Sequence, residues 1–261
     1  MLGILNLTPD SFSDGGRYQG VEEVLEEGLR MRHEGADLLD VGGESSRPGA
    51  RTVDVDEEWN RIGAAVSTLS AAGLPVSVDT TKSEVASRAL DAGAVAVNDI
   101  SGLRFDPAIA DICSRTGAGL VLMHMRGNPR TMQQDTTYED LTGEISRALE
   151  RSAALAIERG VSSDQIVVDP GIGFGKSVEG SLEIIAHGGR FCSGRYPVLL
   201  GPSRKSFIGK LLDLRVDERL EGTIAACVAG LFAGARLFRV HDVLPVRRAL
   251  DLAWAVHEAG R

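Results

Sequence analysis

Short apolar runs alternate with longer amphipathic segments along the whole chain. β-branched residues and leucine dominate these runs, which predicts that each is a β-strand. There are eight of them: GILNL (3–7), LLDVG (38–42), VSVDT (76–80), VAVNDI (95–100), LVLMH (120–124), IVVD (166–169), VLLG (198–201) and RLFRVHD (236–242).

The segments between the runs carry apolar residues at helical spacing. Two of them are the clearest. Their predicted buried faces are Val21, Val24, Leu25, Gly28 and Leu29 in the helix at 21–35, and Leu141, Ile145, Leu149 and Ala156 in the helix at 141–160.

Alternating strands and helices predict parallel strand pairing with right-handed crossovers. Eight such units in about 250 residues match the size of a TIM (β/α)8 barrel. An open doubly wound sheet is the alternative, although its central strands rarely number eight. No linker or low-complexity segment interrupts the pattern, so residues 1–261 are predicted to form a single domain.

Composition narrows the range of partners and compartments. The net charge of −9 argues against nucleic acid or an anionic membrane as the main partner. No apolar run is long enough for a transmembrane helix, and MLGILNLTPD lacks the features of a signal peptide. The three cysteines are far apart and fit no Cys-x-x-Cys pattern, so we expect reduced thiols and a cytoplasmic protein.

The stretch DPGIGFGKS at 169–177 resembles the end of a nucleotide-binding P-loop. A P-loop requires a glycine five residues before Gly175, but Pro170 occupies that place. Proline has no N–H to offer a phosphate, so this stretch is not predicted to bind nucleotide phosphates. It follows a predicted strand that ends in Asp169.

Polar residues stand at the end of nearly every predicted strand. They are Asn6, Asp40, Asp79, Asn98 with Asp99, His124, Asp169, Ser203 to Lys205, and Arg239 with His241 and Asp242. For Asp40, Asp99 and Asp242 we expect a helix cap or a satisfied core polar group. The full set, directed toward one face of a barrel, favours a functional site.

The remaining strand-end residues describe a pocket for a polar ring with an anionic tail. Carboxylates and an amide can exchange hydrogen bonds with a planar heterocycle, and basic residues can hold an anion. The ring contacts are predicted from Asp79, Asn98 and Asp169, the anion contacts from Lys205, Arg239 and His241, and apolar walls from Ile100, Met123 and Phe174. Two long loops, at 8–20 and 42–56, follow the first two strands and are expected at the same face.

Eight motifs in chain order resemble those of the dihydropteroate synthase family. They are GILNLTPDSFSDGG, DVGGESSRPGA, SVDT, VNDISG, LMHMRG, DPGIGFGK, GPSRKSFIG and RVHDV. The resemblance implies a pterin-binding TIM barrel that joins 6-hydroxymethyl-7,8-dihydropterin diphosphate to para-aminobenzoate. It also implies release of diphosphate, a requirement for Mg²⁺, inhibition by sulfonamides and a homodimer.

The same resemblance assigns roles to individual positions. It implies that Asp79, Asn98, Asp169 and Lys205 hold the pterin, that Asn6 is associated with the metal, and that Arg239 and His241 bind diphosphate. Asp10, Phe12 and Asp14 belong to the first loop, and Ser46, Arg47 and Pro48 to the second. Ser206 matches the position that meets the carboxylate of para-aminobenzoate. Asp79, Asp169, Lys205, Asp14 and Arg47 are the residues expected to act in catalysis.

Two other functions stay open at this point. One is a pterin-dependent methyltransferase on the same fold, which should lack the SFSDGG, SSRPG and SRKS stretches present here. The other is a non-catalytic paralogue that binds a pterin or a protein. The small-residue segment TIAACVAGLFAG (223–234) could pack a helix closely against a second subunit or against the barrel.

Overall fold

The computed structural model describes residues 1–8, 20–47 and 49–260. Each predicted run overlaps a short strand. The strands are β1 Leu2–Asn6, β2 Leu38–Gly42, β3 Val76–Asp79, β4 Ala96–Asp99, β5 Gly119–Met123, β6 Ile166–Asp169, β7 Leu199–Leu200 and β8 Leu237–Val240.

The strands form one parallel sheet that closes on itself. Their order is β6-β5-β4-β3-β2-β1-β8-β7, and β8 pairs with β1. A parallel bridge between Val168 and Val198 joins the two ends of the sheet. Eight parallel strands closed in this way and surrounded by helices are a TIM barrel. The predicted barrel is therefore confirmed, and the open doubly wound alternative is wrong.

The helices lie between the strands in the chain. They are α1 Val21–His33, α2 Val55–Ala71, α3 Ser83–Asp91, α4 Ala108–Thr116, α5 Leu141–Glu158, α6 Val178–His187, α7 Ser206–Leu212, α8 Leu220–Phe232 and α9 Val243–Ala259. Side-chain caps define where three of them begin. Asp54, Asp140 and Ser177 accept hydrogen bonds from backbone N–H groups three residues later, at 2.8, 3.0 and 3.0 Å.

The inside of the barrel changes from apolar to polar toward the carboxyl ends of the strands. An apolar layer at its base contains Leu2, Val121 and Leu199, packed against Leu38, Val167 and Leu237. Side chains two residues apart on a strand point to the same face. Two residues beyond Leu38, Val167 and Leu237 come Asp40, Asp169 and Arg239. The strands therefore place charged side chains in the upper half of the interior.

The predicted buried face is confirmed for α5 and partly wrong for α1. In α5, the four predicted residues are buried, together with Ala153. In α1, the buried residues are Val24, Gly28 and Met31, whereas Val21 and Leu29 are 39% and 48% exposed. The buried stripe of α1 is narrow because the helix approaches α2 closely at Gly28. A Cβ atom there would lie 2.4 Å from Leu69 Cδ2.

The small-residue segment forms α8 and packs against its own barrel. Within this segment, a Cβ atom at Gly230 would lie 2.6 Å from Leu200 in β7; at Gly222, the residue before the segment, it would lie 2.3 Å from Ile208 in α7. Of the two possibilities for this face, the structure supports packing against the barrel. Within the described ranges, no helix combines the length and apolar character needed to cross a membrane.

Candidate active site

The polar residues predicted from the strand ends meet at the mouth of the barrel. Asp79 and Asp169 are the last residues of β3 and β6, and Asn98 pairs with Asp79 across the sheet. Arg239 lies in β8, and Lys205 follows β7 directly before α7. In a TIM barrel this is the end that carries the active site.

A network of charges crosses the barrel between β8, β2, β3 and β4. The Arg239 guanidinium donates through Nε to Asp40 at 2.5 Å and through a terminal nitrogen to Asp79 at 2.8 Å. Asn98 Nδ2 donates to the same oxygen of Asp40 at 3.1 Å. The positive charge of Arg239 is therefore already compensated by ion pairs with Asp40 and Asp79. Its predicted role in binding diphosphate remains a prediction.

Asp169 is held by the loop that follows it. The N–H of Gly171 donates to Asp169 Oδ1 at 2.7 Å, and the carboxylate is buried. Gly171 has a φ of +72°, and a Cβ atom there would lie 2.0 Å from the carbonyl oxygen of His124. The DPGIGFGK stretch thus needs this glycine to bring its backbone against the end of β5.

A buried lysine in the same loop contacts the end of β5. Lys176 Nζ lies 2.9 Å from His124 Nδ1 and 3.0 Å from the His124 carbonyl oxygen. Burial, followed by the charge of Lys176, lowers the pKa of His124 to about 2, so the ring is neutral. This contact fixes the β6–α6 loop that carries Gly171. The sequence showed both residues but assigned a role to neither.

The three predicted wall residues belong to one apolar cluster. Met123 and Phe174 pack with Met125 and Met132, and Ile100 packs against them. Lys205 Nζ lies 3.9 Å from the centre of the Phe174 ring, a cation–π geometry. Phe174 therefore positions the ammonium group beside the apolar wall.

His241 faces the β7–α7 loop as a neutral ring. The Ser203 hydroxyl accepts the backbone N–H of His241 at 3.2 Å and lies 2.9 Å from Nδ1. Because the hydroxyl accepts one bond, its own hydrogen can go to Nδ1, which leaves Nε2–H as the donor of the ring. Burial and the charge of Arg239 lower the pKa of His241 to about 3. It can thus bind an anion by hydrogen bonding but not as a cation.

Burial shifts the titration of the other charged groups toward neutrality. It raises the pKa of Asp79 to about 7 against the opposing charge of Arg239. It raises the pKa of Asp169 to about 6, opposed first by the Gly171 N–H and then by Lys205. Burial and the charge of Arg239 lower the pKa of Lys205 to about 8. Near neutral pH, Asp169 is mainly ionised and Lys205 is mainly charged.

A cavity of about 380 Å³ opens beside Asp79. It brings together Asp79, Ile100 and Ser46, which the sequence had placed in different parts of the site. Its remaining wall includes Lys82, which contacts both Glu44 and Glu58. Asp169 and Lys205 are not among the residues that line this cavity.

Comparison with known proteins agrees with this arrangement. Residues 2–241 match a family described as pterin binding enzyme. A dihydropteroate synthase of Synechocystis is 45% identical over 258 residues, which are 98% of this chain and 89% of that protein. The chain belongs to the dihydropteroate synthase family.

Two solved structures extend the similarity to three dimensions. A Yersinia pestis dihydropteroate synthase described with a sulfonamide drug has a TM-score of 0.93 at 37% identity, covering 98% of this chain and 94% of that one. A Xanthomonas albilineans dihydropteroate synthase in complex with 7,8-dihydropteroate has a TM-score of 0.87 at 40% identity, covering 98% and 92%. The barrel described above is thus the fold of dihydropteroate synthases.

Several residues that the family resemblance assigned to the two loops or to the para-aminobenzoate carboxylate lie at the edge of the site or outside the described residues. Asp10, Phe12, Asp14 and Pro48 lie outside them. Arg47 and Ser206 are both exposed, and Ser206 is the first residue of α7 at the rim of the barrel. Their predicted contacts with substrate remain predictions.

The donor set suits a metal ion that arrives with a phosphorylated substrate. No group of three or more His, Cys, Asp or Glu side chains that could hold a metal occurs among the residues described. Asn6 ends β1 at the barrel mouth and offers one amide oxygen. Mg²⁺ is usually held by one or two carboxylates together with substrate phosphates and keeps several waters, so it needs few protein ligands. Asn6 would supply one oxygen to such an ion, and the requirement for Mg²⁺ remains a prediction.

Three strand-end aspartates were expected to have only structural roles. Asp99 does, because its carboxylate accepts backbone N–H groups of Ser101 and Leu103. Asp242 makes no cap hydrogen bond and instead pairs with Arg204 through both oxygens, at 2.6 and 2.9 Å. Asp40 is neither a cap nor fully satisfied, since its Oδ1 has no hydrogen-bond partner among the described residues. The expectation was therefore wrong for Asp40.

Proposed function

We propose that this protein is a dihydropteroate synthase that joins 6-hydroxymethyl-7,8-dihydropterin diphosphate to para-aminobenzoate. The products are 7,8-dihydropteroate and diphosphate. The observation that carries the proposal is the meeting of Asp79, Asn98, Asp169 and Lys205 at the barrel mouth of a chain in this family. The Xanthomonas albilineans relative described with 7,8-dihydropteroate supports the same substrate class.

The carboxylates suit the polar edge of a pterin. A pterin presents amino and ring N–H donors, and ionised aspartates are pure acceptors. Asp169 is 6% exposed and Asn98 is 3% exposed, so both would meet the ring with little competition from water. The cluster of Met123, Phe174 and Ile100 supplies an apolar surface for the ring faces. Lys205, the last residue of the β7–α7 loop, places its ammonium group over the Phe174 ring of this surface.

The anionic tail is best placed toward Ser203, Lys205 and His241. Lys205 contributes a positive charge, and neutral His241 contributes a hydrogen bond from its ring. These groups can stabilise negative charge as it grows on the departing diphosphate. Arg239 can contribute at longer range, although Asp40 and Asp79 already pair its charge.

We propose an SN1-like substitution. The bond between the pterin methylene carbon and a diphosphate oxygen breaks, and diphosphate leaves with the electron pair. The resulting cation is conjugated with the ring, where ionised Asp79 and Asp169 can stabilise it. The arylamine nitrogen of para-aminobenzoate then forms the new C–N bond and loses a proton. Since the amine is itself a nucleophile, no Ser-His or Cys-His pair is needed.

Mg²⁺ is proposed as the metal of this reaction, with Asn6 as its described protein ligand. When bound with diphosphate, the ion would neutralise charge on the leaving group. Asp14 is proposed to act from the first loop. Arg47 and Ser46, from the second loop, are proposed to meet para-aminobenzoate with Phe12, Pro48 and Ser206. The placement of Ser46 in the wall of the cavity beside Asp79 supports this assignment.

We propose that the protein is inhibited by sulfonamides, which resemble para-aminobenzoate. The Yersinia pestis relative with a TM-score of 0.93 is described with a sulfonamide drug, which supports this. We also propose a cytoplasmic homodimer. The buried free thiols of Cys113, Cys192 and Cys227 fit a reducing compartment. A group of exposed apolar side chains on α8 and α9 offers an interface.

Diphosphate release in four mixtures tests the reaction. The protein with Mg²⁺ receives both substrates, either substrate alone, or neither. We expect rapid release only with both, because the cation needs the amine to trap it. A non-catalytic paralogue and a methyltransferase would both release no diphosphate in any mixture, and an enzyme that only hydrolyses the pterin diphosphate would release it without para-aminobenzoate. Either of these results would overturn the proposed function.

A further inference from the structure

Asp40 is a charged side chain in the middle of an otherwise apolar strand. It is the third of the five residues of β2 and is completely buried. It lies two residues beyond Leu38, whose side chain packs in the apolar base of the barrel, so the two side chains point to the same face of β2. A buried carboxylate is costly to keep unless partners compensate its charge.

One oxygen of Asp40 makes all the hydrogen bonds of this side chain in the described structure. Oδ2 accepts from Arg239 Nε at 2.5 Å and from Asn98 Nδ2 at 3.1 Å. Oδ1 has no partner among the described residues. The carboxylate is thus incompletely compensated, which is a poor arrangement for stability alone.

These bonds fix the orientation of two groups at the ring-binding end of the site. The Arg239 guanidinium is held at two points, by Asp40 and by Asp79, so that its plane is defined. A carboxylate can only accept, so the bond from Asn98 also fixes which end of the amide faces Asp40. The oxygen of Asn98 is then the end available as an acceptor elsewhere.

We propose that Asp40 is a positioning residue for pterin binding, acting through Arg239 and Asn98. This rests on the proposed function. Without the carboxylate, the Asn98 amide could rotate, and Arg239 would be held by Asp79 alone. Asp40 would thereby determine the hydrogen-bonding pattern that the barrel mouth presents to the ring.

The test is the variant Asp40→Asn, studied by calorimetric titration with a pterin ligand and by steady-state kinetics. We expect the Kd for the pterin and the KM for the pterin diphosphate to rise about tenfold, as for the loss of a charge-assisted hydrogen bond. The KM for para-aminobenzoate should change less than about twofold, because the described contacts of Asp40 are with Arg239 and Asn98 and not with residues of the two loops. The melting temperature should not fall.

Ser77→Ala is the matched control. Ser77 pairs with Asp40 across the sheet, is fully buried, and has a hydroxyl without a hydrogen-bond partner in the described part of the chain. It should bind the pterin like the wild type. An equal loss in both variants would mean that any change in this layer disturbs the barrel, and the positioning role would be wrong.

A double-mutant cycle with Asn98→Ala tests the route of the effect. If Asp40 acts through Asn98, its substitution should matter less once the amide is gone, so the two losses should not multiply. If the affinity losses of the two single variants multiply fully in the double variant, Asp40 does not act through Asn98, and this route would be contradicted. Asp40→Ser, which leaves room for a water molecule, repeats the test if the Asn variant does not fold.

Other outcomes separate this inference from the proposed function. Asp40→Asn binding the pterin as tightly as the wild type would overturn the positioning role alone. Failure of both Asp40 variants to fold would show that Asp40 serves the fold, and would overturn the inference as well. A wild-type protein that binds no pterin would instead overturn the proposed function on which it rests.

Discussion

At the scale of single residues, the barrel mouth holds ionisable groups where burial works against their charge. Asp169 is 6% exposed, and its carboxylate accepts the Gly171 N–H at 2.7 Å. Burial raises its pKa to about 6. Such a group weakens the folded state when ionised, so its presence is best explained by a ligand that presents donors to it.

Asp169→Asn should therefore weaken pterin binding without lowering the free energy of unfolding. The amide oxygen can still accept the Gly171 N–H, but the NH₂ group would face ring donors, which costs roughly 1–3 kcal/mol of pterin binding. The pKa of Asp169 is higher in the folded protein than in the unfolded chain, so keeping the ionised carboxylate buried lowers the free energy of unfolding. This cost is fully present above pH about 6 and disappears as the pH falls to the pKa of the unfolded chain. The variant should be no less stable than the wild type at pH 8.

Calorimetry across pH 5 to 8 and chemical denaturation at pH 8 check this prediction. Wild-type pterin affinity should fall as the pH drops through about 6, and the variant should lose the part of that dependence due to Asp169. Unchanged affinity in Asp169→Asn would remove this residue from the site. A large loss of stability would contradict the explanation from burial.

Sequence reasoning found the strand-end residues because position at a strand end is a local property. Asp79, Asn98 and Asp169 each follow an apolar run directly. It failed for Asp40, which looks like its neighbours on other strands. The partner that defines Asp40 is Arg239, 199 residues away in the chain. No local pattern reports a contact that forms only when the barrel closes.

At the scale of elements, the β6–α6 loop depends on a close approach between backbones. Gly171→Ala should destabilise the protein by about 1–3 kcal/mol from φ strain and by more from contact with the His124 carbonyl oxygen. Gly117→Ala is the control, since its φ of +74° is similar but no atom lies within 4 Å of the added Cβ. Denaturant unfolding of both variants is the measurement. Equal losses would mean that the contact with β5 is not tight.

The root of the β2–α2 loop is fixed by a lysine between two glutamates. Lys82 Nζ contacts Glu44 in the loop and Glu58 in α2, the latter at 2.5 Å with a Glu58 side chain that is 1% exposed. Lys82→Met would leave that buried carboxylate unpaired, at a cost of roughly 3 kcal/mol of the free energy of unfolding. Arg215→Ala, at an ion pair whose Arg is 76% exposed, should cost less than about 1 kcal/mol. Similar small losses in both would contradict the cost assigned to leaving the buried Glu58 side chain unpaired.

The periodicity of apolar residues predicted where the strands and helices lie more reliably than it predicted which helix face is buried. Six strands lie within the predicted runs, and β1 and β5 each begin one residue earlier, because buried parallel strands are continuous apolar segments. The face of α1 was partly wrong because Val21 and Leu29 have suitable character but lie beside the narrow contact made at Gly28. Only the packed partner, α2, decides how wide such a face is.

At the scale of the whole molecule, the outer surface of α8 and α9 exposes several large apolar side chains to solvent. Leu252, Trp254 and Val256 of α9 are 69%, 37% and 60% exposed, and Phe232 of α8 is 49% exposed. The rings of Phe232 and Trp254 both contact His257, at 5.8 and 5.5 Å between centres. We expect this surface to form the proposed homodimer interface.

Leu252→Glu should shift the protein from dimer toward monomer, because a charge would be buried at the interface. Leu29→Glu is the control, since Leu29 is 48% exposed on α1. Sedimentation velocity over a range of concentrations is the measurement. A wild type that is monomeric throughout would contradict the homodimer, and a Leu252→Glu protein that stays dimeric would exclude this surface.

The central claim is that the polar strand ends of this barrel are where dihydropteroate is made. The most direct measurement is the amount of 7,8-dihydropteroate formed from both substrates with Mg²⁺, separated by chromatography and identified by mass. The wild type and Ser77→Ala should form it at similar rates, and Asp169→Asn should lose at least about a hundredfold in kcat/KM, or roughly 2.7 kcal/mol of transition-state stabilisation. No product from the wild type, or full activity in Asp169→Asn, would contradict the account.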